Sequence, residues 1–188
     1  MRRWRLDRWG AYVRGCAILA VCLAAHGCGY TARSLLPSDM KTIYVENFAN
    51  KIPISEPTSD MRMYRGYRPR MEFDVTKAIV DRFLYDGSLK VVSTKDADLI
   101  LNGELIDYVK EPLRYDRDNN IEEYRVRLVT DLRLTDTKKG VEMWHEKGFA
   151  GETTFRTGGS LAKDEASAVN DVAVDLARRV VERTIEGW

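Results

Sequence analysis

Cysteine is scarce and unevenly placed: the three in the chain stand at positions 16, 22 and 28, and none follows. No internal disulfide can therefore staple the rest of the chain, and its core must hold by packing alone. Histidine is scarcer. Beyond residue 26 only His145 remains, with no cysteine near it in sequence, so neither a zinc site nor a histidine-based triad has the parts it needs. Beside Trp144 in a strand-like run, it reads as a surface residue. Gly158-Gly159 lacks the spacing and the lysine of a phosphate-cradling loop. Glu122, Glu123, Asp116 and Asp118 fall in a turn and at a strand edge, where carboxylates are solvated by default. No enzyme chemistry, metal or cofactor is expected. A long apolar run is also missing: Gly15 to Ala25, uncharged and mostly apolar, has eleven residues, whereas a bilayer-spanning helix needs about 20. Nor is there an excess of one charge, with 30 basic against 29 acidic residues, which removes any global attraction to nucleic acid.

What the chain does carry is a directional start. Arg2, Arg3, Arg5 and Arg8 precede the short apolar run, and a small-residue break follows at Ala25-His26-Gly27-Cys28. This is the pattern of an export signal rather than of a membrane anchor. The break resembles the lipobox of bacterial lipoproteins, with Ala25 where leucine is usual and His26 an uncommon occupant. Cys16 precedes most of the apolar run, and Val21 before Cys22 is bulky for cleavage, so Cys28 is the expected lipid-attachment residue. An ordinary secretory signal is the alternative, but such a signal does not need a cysteine at its cleavage point. Residues 1–27 are thus expected to be a lipoprotein signal peptide and residues 28–40 a lipidated linker. Several acyl chains, at ~0.8 kcal/mol per buried methylene, would hold a domain on a membrane without any spanning helix. Gly29-Tyr30 lacks the aspartate that commonly retains lipoproteins at the inner membrane, which favours the outer membrane. Removing the five arginines and one aspartate of residues 1–27 leaves 25 basic and 28 acidic residues, a net charge of −3 on 161 residues. That length suits one domain, residues 41–188.

Within the domain, KTIYVENF (41–48) is a β-rich run and reads as the first strand. Residues 49–69 follow with prolines at 53, 57 and 69 and a cluster of Arg62, Tyr64, Arg65, Tyr67 and Arg68, either a solvated insertion or a partner-contacting loop. Met71, Val75, Ala78, Ile79 and Phe83 recur at helical spacing, and Gly87 stands where a C-terminal cap belongs, which predicts a helix over 70–86. Strands are expected at 89–93 and 97–109, the latter with Leu99, Leu101, Leu105 and Val109 on one face and Ile100, Ile106 and Tyr108 on the other. Residues 110–121 read as a polar turn region. The cleanest strand is 124–136, where Tyr124, Val126, Leu128, Leu132 and Leu134 alternate with Arg125, Arg127, Val129, Asp131 and Arg133, one core face and one wet, net positive face. Thr137 to Gly140 supplies a turn into a hairpin partner at 141–149. Ser160 is placed to cap a long helix with Leu161, Val169, Val172, Leu176 and Val180 on its stripe. The sum is an α+β fold, a two-layer sandwich of a mixed or antiparallel sheet of four to five strands with two helices packed on one face.

The start Cys28-Gly29-Tyr30, the strand KTIYVENF and the segments RFLYDGSLKVVS, DADLILNGELIDYVKEPLRYD and EEYRVRLVTDLRLTDTKKGVEMW together resemble the LptE family of lipopolysaccharide-assembly lipoproteins. The resemblance runs in order through nearly all of the chain after Cys28, although residues 49–69 form a longer insertion than the family leads one to expect. It implies a non-enzymatic outer-membrane lipoprotein, anchored at the periplasmic face. It further implies that such a protein plugs and helps assemble an LptD-like β-barrel and binds lipopolysaccharide in transit. A periplasmic lipoprotein of the CsgG or TolB amino-terminal type, acting in secretion or envelope assembly, stays open as an alternative, and an enzyme as a third. For the phosphates of lipopolysaccharide, guanidinium groups offer bidentate, charge-assisted hydrogen bonds. The candidates are Arg125, Arg127 and Arg133 on the wet strand face, with Arg114, Arg117, Lys138 and Lys139 in the adjoining turns. Exposed charge on one face of a sheet is also simply what solvation requires.

Overall fold

The computed structural model describes residues 36–53, 64–65 and 68–187. Cys28, Arg62 and Tyr67 lie outside the described residues, and only the backbone of Tyr64 and Arg65 is described. Ile43 and Val45 point inward and Thr42 and Tyr44 outward in β1 (Thr42–Val45). Two short pieces, β2 (Ala49–Asn50) and β3 (Tyr64–Arg65), precede helix α1 (Met71–Asp86). After the helix come β4 (Lys90–Val91) and three long strands, β5 (Leu99–Tyr115), β6 (Ile121–Asp136) and β7 (Val141–Arg156), and then helix α2 (Glu165–Glu186). The sheet runs β4-β1-β5-β6-β7, with β2 and β3 added on the β1 side of β5. β1 is parallel to both β4 and β5, and β5, β6 and β7 are antiparallel to one another. A parallel β1–β4 pair needs a crossover, and α1 supplies it. The expected α+β sandwich with two helices over a mixed sheet is what forms, with β2 and β3 enlarging the sheet to seven strands.

Both helices bury stripes set by their sequence spacing. In α1, Met71, Val75, Ile79 and Phe83 are buried at steps of four, and Gly87 closes the helix at φ 75 with its N–H donating to the Phe83 carbonyl at 3.0 Å. The Thr76 hydroxyl donates to the Glu72 carbonyl at 2.7 Å and accepts from the Phe48 N–H at 3.0 Å, which ties the exit of β1 to the helix. In α2 the buried stripe alternates small and large: Ala168, Val172, Ala173, Leu176, Ala177, Val180 and Val181. The alanines let the helix lie close on β7. At Gly151 an added Cβ would stand 2.8 Å from the Val172 carbonyl oxygen and 2.7 Å from the Leu176 Cβ, so only glycine fits there.

Several expectations are corrected: β2 and β3 fall inside the segment 49–69 read as a loop, β4 is shorter and β6 starts earlier than expected, and four larger differences each have a local reason. Residues 110–115 are strand, not turn: β5 continues opposite β6, and Pro112 is tolerated because no described strand pairs on its other side beyond Lys110 and the register shifts just after it. The turn shrinks to residues 116–120, where the Asp116 carboxylate accepts the N–H groups of Asp118 at 2.9 Å and Asn120 at 2.8 Å. A register shift between Leu105 and Asp107 reverses the alternation of β5, so that Tyr108, expected opposite Leu99, is fully buried with it and Val109 crosses to the other face. β7 extends past Phe149 to Arg156, with Gly148 at φ 78 among residues that weaken its strand signal. Ser160 does not cap α2. Asp164 does, accepting the Ser167 N–H at 2.8 Å, and Leu161 lies outside the helix and 69% exposed.

Candidate functional site

The face of β5-β6-β7 turned away from the helices carries the row of arginines, and the pleat of β6 places them as expected: Arg125, Arg127 and Arg133 outward, Val126, Leu128, Leu132 and Leu134 inward. The neighbouring strands change what the row means. Cross-strand carboxylates meet two of the three guanidiniums, Arg125 at 3.2 Å from Glu152 and 3.7 Å from Glu111, and Arg133 at 2.8 Å from Glu142. The outward side of β6 is net positive over residues 125–133, but with its neighbours the face is a charge-alternating pavement in which each such pair contributes about 0.2–1 kcal/mol. Arg127 has no ion pair among the described residues, although Glu152 stands opposite it in register. His145 closes the row beside Arg133, its Nε2 at 2.5 Å from Asp131 Oδ1.

The turn cations do not join this row at one place. The β5–β6 turn and the β6–β7 turn lie at opposite ends of β6, whose sixteen residues span about 50 Å at the usual rise of an extended chain. Arg114, at 3.3 Å from Glu123, and Arg117 belong to the first end. Lys138, at 2.7 Å from Asp98, and Lys139, at 3.4 Å from Asp136, belong to the second. Asp98 is the hub of that second end. It accepts from the Lys41 N–H at 2.8 Å, the Thr42 N–H at 2.9 Å and the Thr42 hydroxyl at 3.0 Å as well as from Lys138. The Lys138 ammonium, then these backbone donors, hold its carboxyl well below the ordinary carboxylate range.

A second cluster, on the helix side, was not foreseen. Glu165 in the first turn of α2 receives Lys110 Nζ at 2.8 Å, the Tyr108 hydroxyl at 3.2 Å and the Arg68 guanidinium. Lys110 sits 5.0 Å above the Tyr124 ring, and Tyr124 stacks on Phe155 with centroids 5.5 Å apart. Burial, and then the Glu165 charge, push the Tyr108 phenol upward, so it stays a neutral donor. No sequence signal marks it, because the parity change in β5 that turns Tyr108 and Lys110 towards the helices exists only once β5 is paired with β6. Among the described residues no group of three His, Cys, Asp or Glu side chains is placed to hold a metal, and no helix is long and apolar enough to cross a membrane.

The family model described as LptE, lipopolysaccharide-assembly, matches residues 40–184. No curated protein sequence matches the chain. Among solved structures, the chain is similar to protein XCC0632 from Xanthomonas campestris, at 12% identity and a TM-score of 0.48 over 81% of this chain and 87% of that one. It is similar to a PelC variant from Paraburkholderia phytofirmans at 16% identity and a TM-score of 0.46, over 81% and 94%. It is also similar to the rare lipoprotein B from Shewanella oneidensis at 14% identity and a TM-score of 0.38, over 74% and 91%.

Proposed function

The chain belongs to the LptE family of lipopolysaccharide-assembly proteins, and from that premise we propose that it is an outer-membrane lipoprotein, held at the periplasmic face through Cys28. In this reading it supports the assembly and plugging of an LptD-like β-barrel and binds lipopolysaccharide on the way to the cell surface. The observation that carries it is the family match over 40–184, which takes in the first helix, all three long strands and the second helix as far as Thr184. The role is that of a scaffold and not of a catalyst.

The geometry suggests how anionic lipid would be met. Arg125 and Arg133 are held in place by carboxylates across the strands, so a phosphate binds them by displacing an exposed ion pair that costs little to break. Arg127, without such a pair, is the first group a phosphate would reach. Because the turn cations are split between two ends, the strand row is the contact for a phosphorylated headgroup, and Arg114, Arg117, Lys138 and Lys139 would serve only ligands or partners that extend along the sheet. Replacing Arg125, Arg127 and Arg133 together with serine is expected to leave a folded protein and weaken lipopolysaccharide binding at least tenfold, measured by equilibrium binding at low salt. Raising the ionic strength should reproduce the loss, since exposed ionic contacts are screened within about 10 Å at 0.1 M salt. Unchanged binding by the folded variant would remove the row from the reading. Purification with a secretion channel instead of a large outer-membrane barrel would remove the family role itself.

A further inference from the structure

The two edges of the sheet are unlike in length. β4, at one edge, has two residues, whereas β7, at the other, has sixteen and pairs only with β6 among the described strands. A long unpaired edge offers its backbone N–H and C=O groups to any further strand. Gly148 interrupts that row: its φ of 78 and lack of a partner on β6 make a bulge beside the exposed Lys147. Beyond it runs FAGETTF (149–155), seven residues with one charged side chain, Glu152, one glycine and no proline. Short β-prone runs of low charge are the kind that pair with copies of themselves.

The Glu152 N–H does not point to β6. It donates to Asp175 Oδ2 of α2 at 3.0 Å. Alternate residues of an extended strand turn their backbone groups to the same side, so Ala150 and Thr154 share this outer side, where no hydrogen bond receives them among the described residues. The carbonyl of Arg156, next in the series, is taken by the Lys163 N–H at 3.0 Å. Asp175 is itself held, by Arg178 on Oδ1 and by Arg179 on Oδ2, each at 2.8 Å. Gly151 lets α2 come down on β7, which brings this carboxylate within reach of the edge. An incoming strand would have to put a carbonyl where Asp175 stands, exchanging a charge-assisted hydrogen bond for a neutral one roughly half as strong. We infer that Asp175 is a latch on the β7 edge: it occupies the central N–H of the open run and so prevents antiparallel pairing of residues 149–155 with the same segment of a second copy of this chain. A single copy suits the proposed plug, but the latch does not depend on that reading.

The test compares self-association of the full chain, purified from cells in detergent, by analytical ultracentrifugation with the detergent mass subtracted. Wild type is expected to carry one copy per particle. Asp175→Ala removes the acceptor and is expected to pair at a concentration about tenfold or more below that needed by wild type. Asp175→Asn keeps a side-chain oxygen for the Glu152 N–H, and Arg179→Ala removes an ion pair of Asp175 but not the acceptor, so both should behave as wild type. A folded Asp175→Ala protein of wild-type mass would overturn the latch, as would pairing of Asp175→Asn or Arg179→Ala to the same degree. Amide exchange in the wild-type protein, followed by NMR, needs no variant. The Glu152 N–H is expected to exchange about tenfold or more slower than those of Ala150 and Thr154, and equal rates would overturn the latch even where Asp175→Ala fails to fold.

Discussion

At the level of single residues, Asp98 does the most to fix where chain segments meet. Its carboxylate joins the start of β1, through Lys41 and Thr42, to the β6–β7 turn, through Lys138. Charge-assisted hydrogen bonds of this kind contribute about 1.5–3 kcal/mol, so Asp98→Asn is expected to lower stability by about 2 kcal/mol at neutral pH. The sign of the pH dependence follows from the downward shift. A carboxylate held below its unfolded value of about 3.9 contributes fully above that pH, and its contribution is lost as the pH falls through the folded value. The gap between wild type and Asp98→Asn in urea melts should thus be constant from neutral pH down to about 5 and close below about 4. A gap that widened on acidification would contradict the assignment. Little of this could be read from DADLIL. Lys41 lies 57 positions before Asp98, and the value of a hydrogen bond across that distance is invisible until the strands are paired. By contrast, the alternation around Leu128 is local, and it placed every outward arginine of β6 correctly.

Elements were legible wherever one period ran uninterrupted. The four-residue steps of α1 and the two-residue steps of β6 needed no knowledge of their neighbours. Where the period broke, the sequence misled: the polar run from Lys110 read as a turn, the extra residue near Ile106 reversed the faces of β5, and Gly148 and Gly151 interrupt the second half of β7. Each break is a bulge or close approach that only the adjoining element explains. The faces of β6 can be tested directly. Leu128→Asp would bury an unpaired charge under α2 and is expected to cost about 4 kcal/mol or more, enough to prevent folding. Arg127→Asp, which sets a like charge across from Glu152, should cost less than about 1 kcal/mol in a thermal melt. Equal losses would show the faces to be exchanged. Gly151→Val tests the contact of α2 with β7, since its side chain would meet the backbone of α2 and force the layers apart, at a cost of about 1–3 kcal/mol.

For the whole molecule, the relevant quantity is the charge of the chain beyond residue 27. With a net charge of −3 beyond residue 27, the domain has no long-range attraction for an anionic membrane or a phosphorylated lipid, and its contacts with either must be short-ranged and positioned. In the proposed reading, localisation then rests on the acylated Cys28. A domain without net attraction and with its exposed apolar side chains scattered, as at Phe73, Leu84, Leu113, Val141 and Leu161, would not stay on a bilayer unaided, whereas several acyl chains would hold it there. Cys28→Ala is therefore expected to abolish fatty-acid labelling and to leave the protein either unprocessed or released into the periplasmic fraction. Its melting temperature should be unchanged, because among the described residues the core is built from Leu36 and Met40 onward, well beyond Cys28. Fractionation and labelling of the same cells separate the outcomes: membrane retention of a cleaved Cys28→Ala protein would show that the domain binds by its own surface or through its barrel partner, and continued labelling would show that another residue carries the lipid.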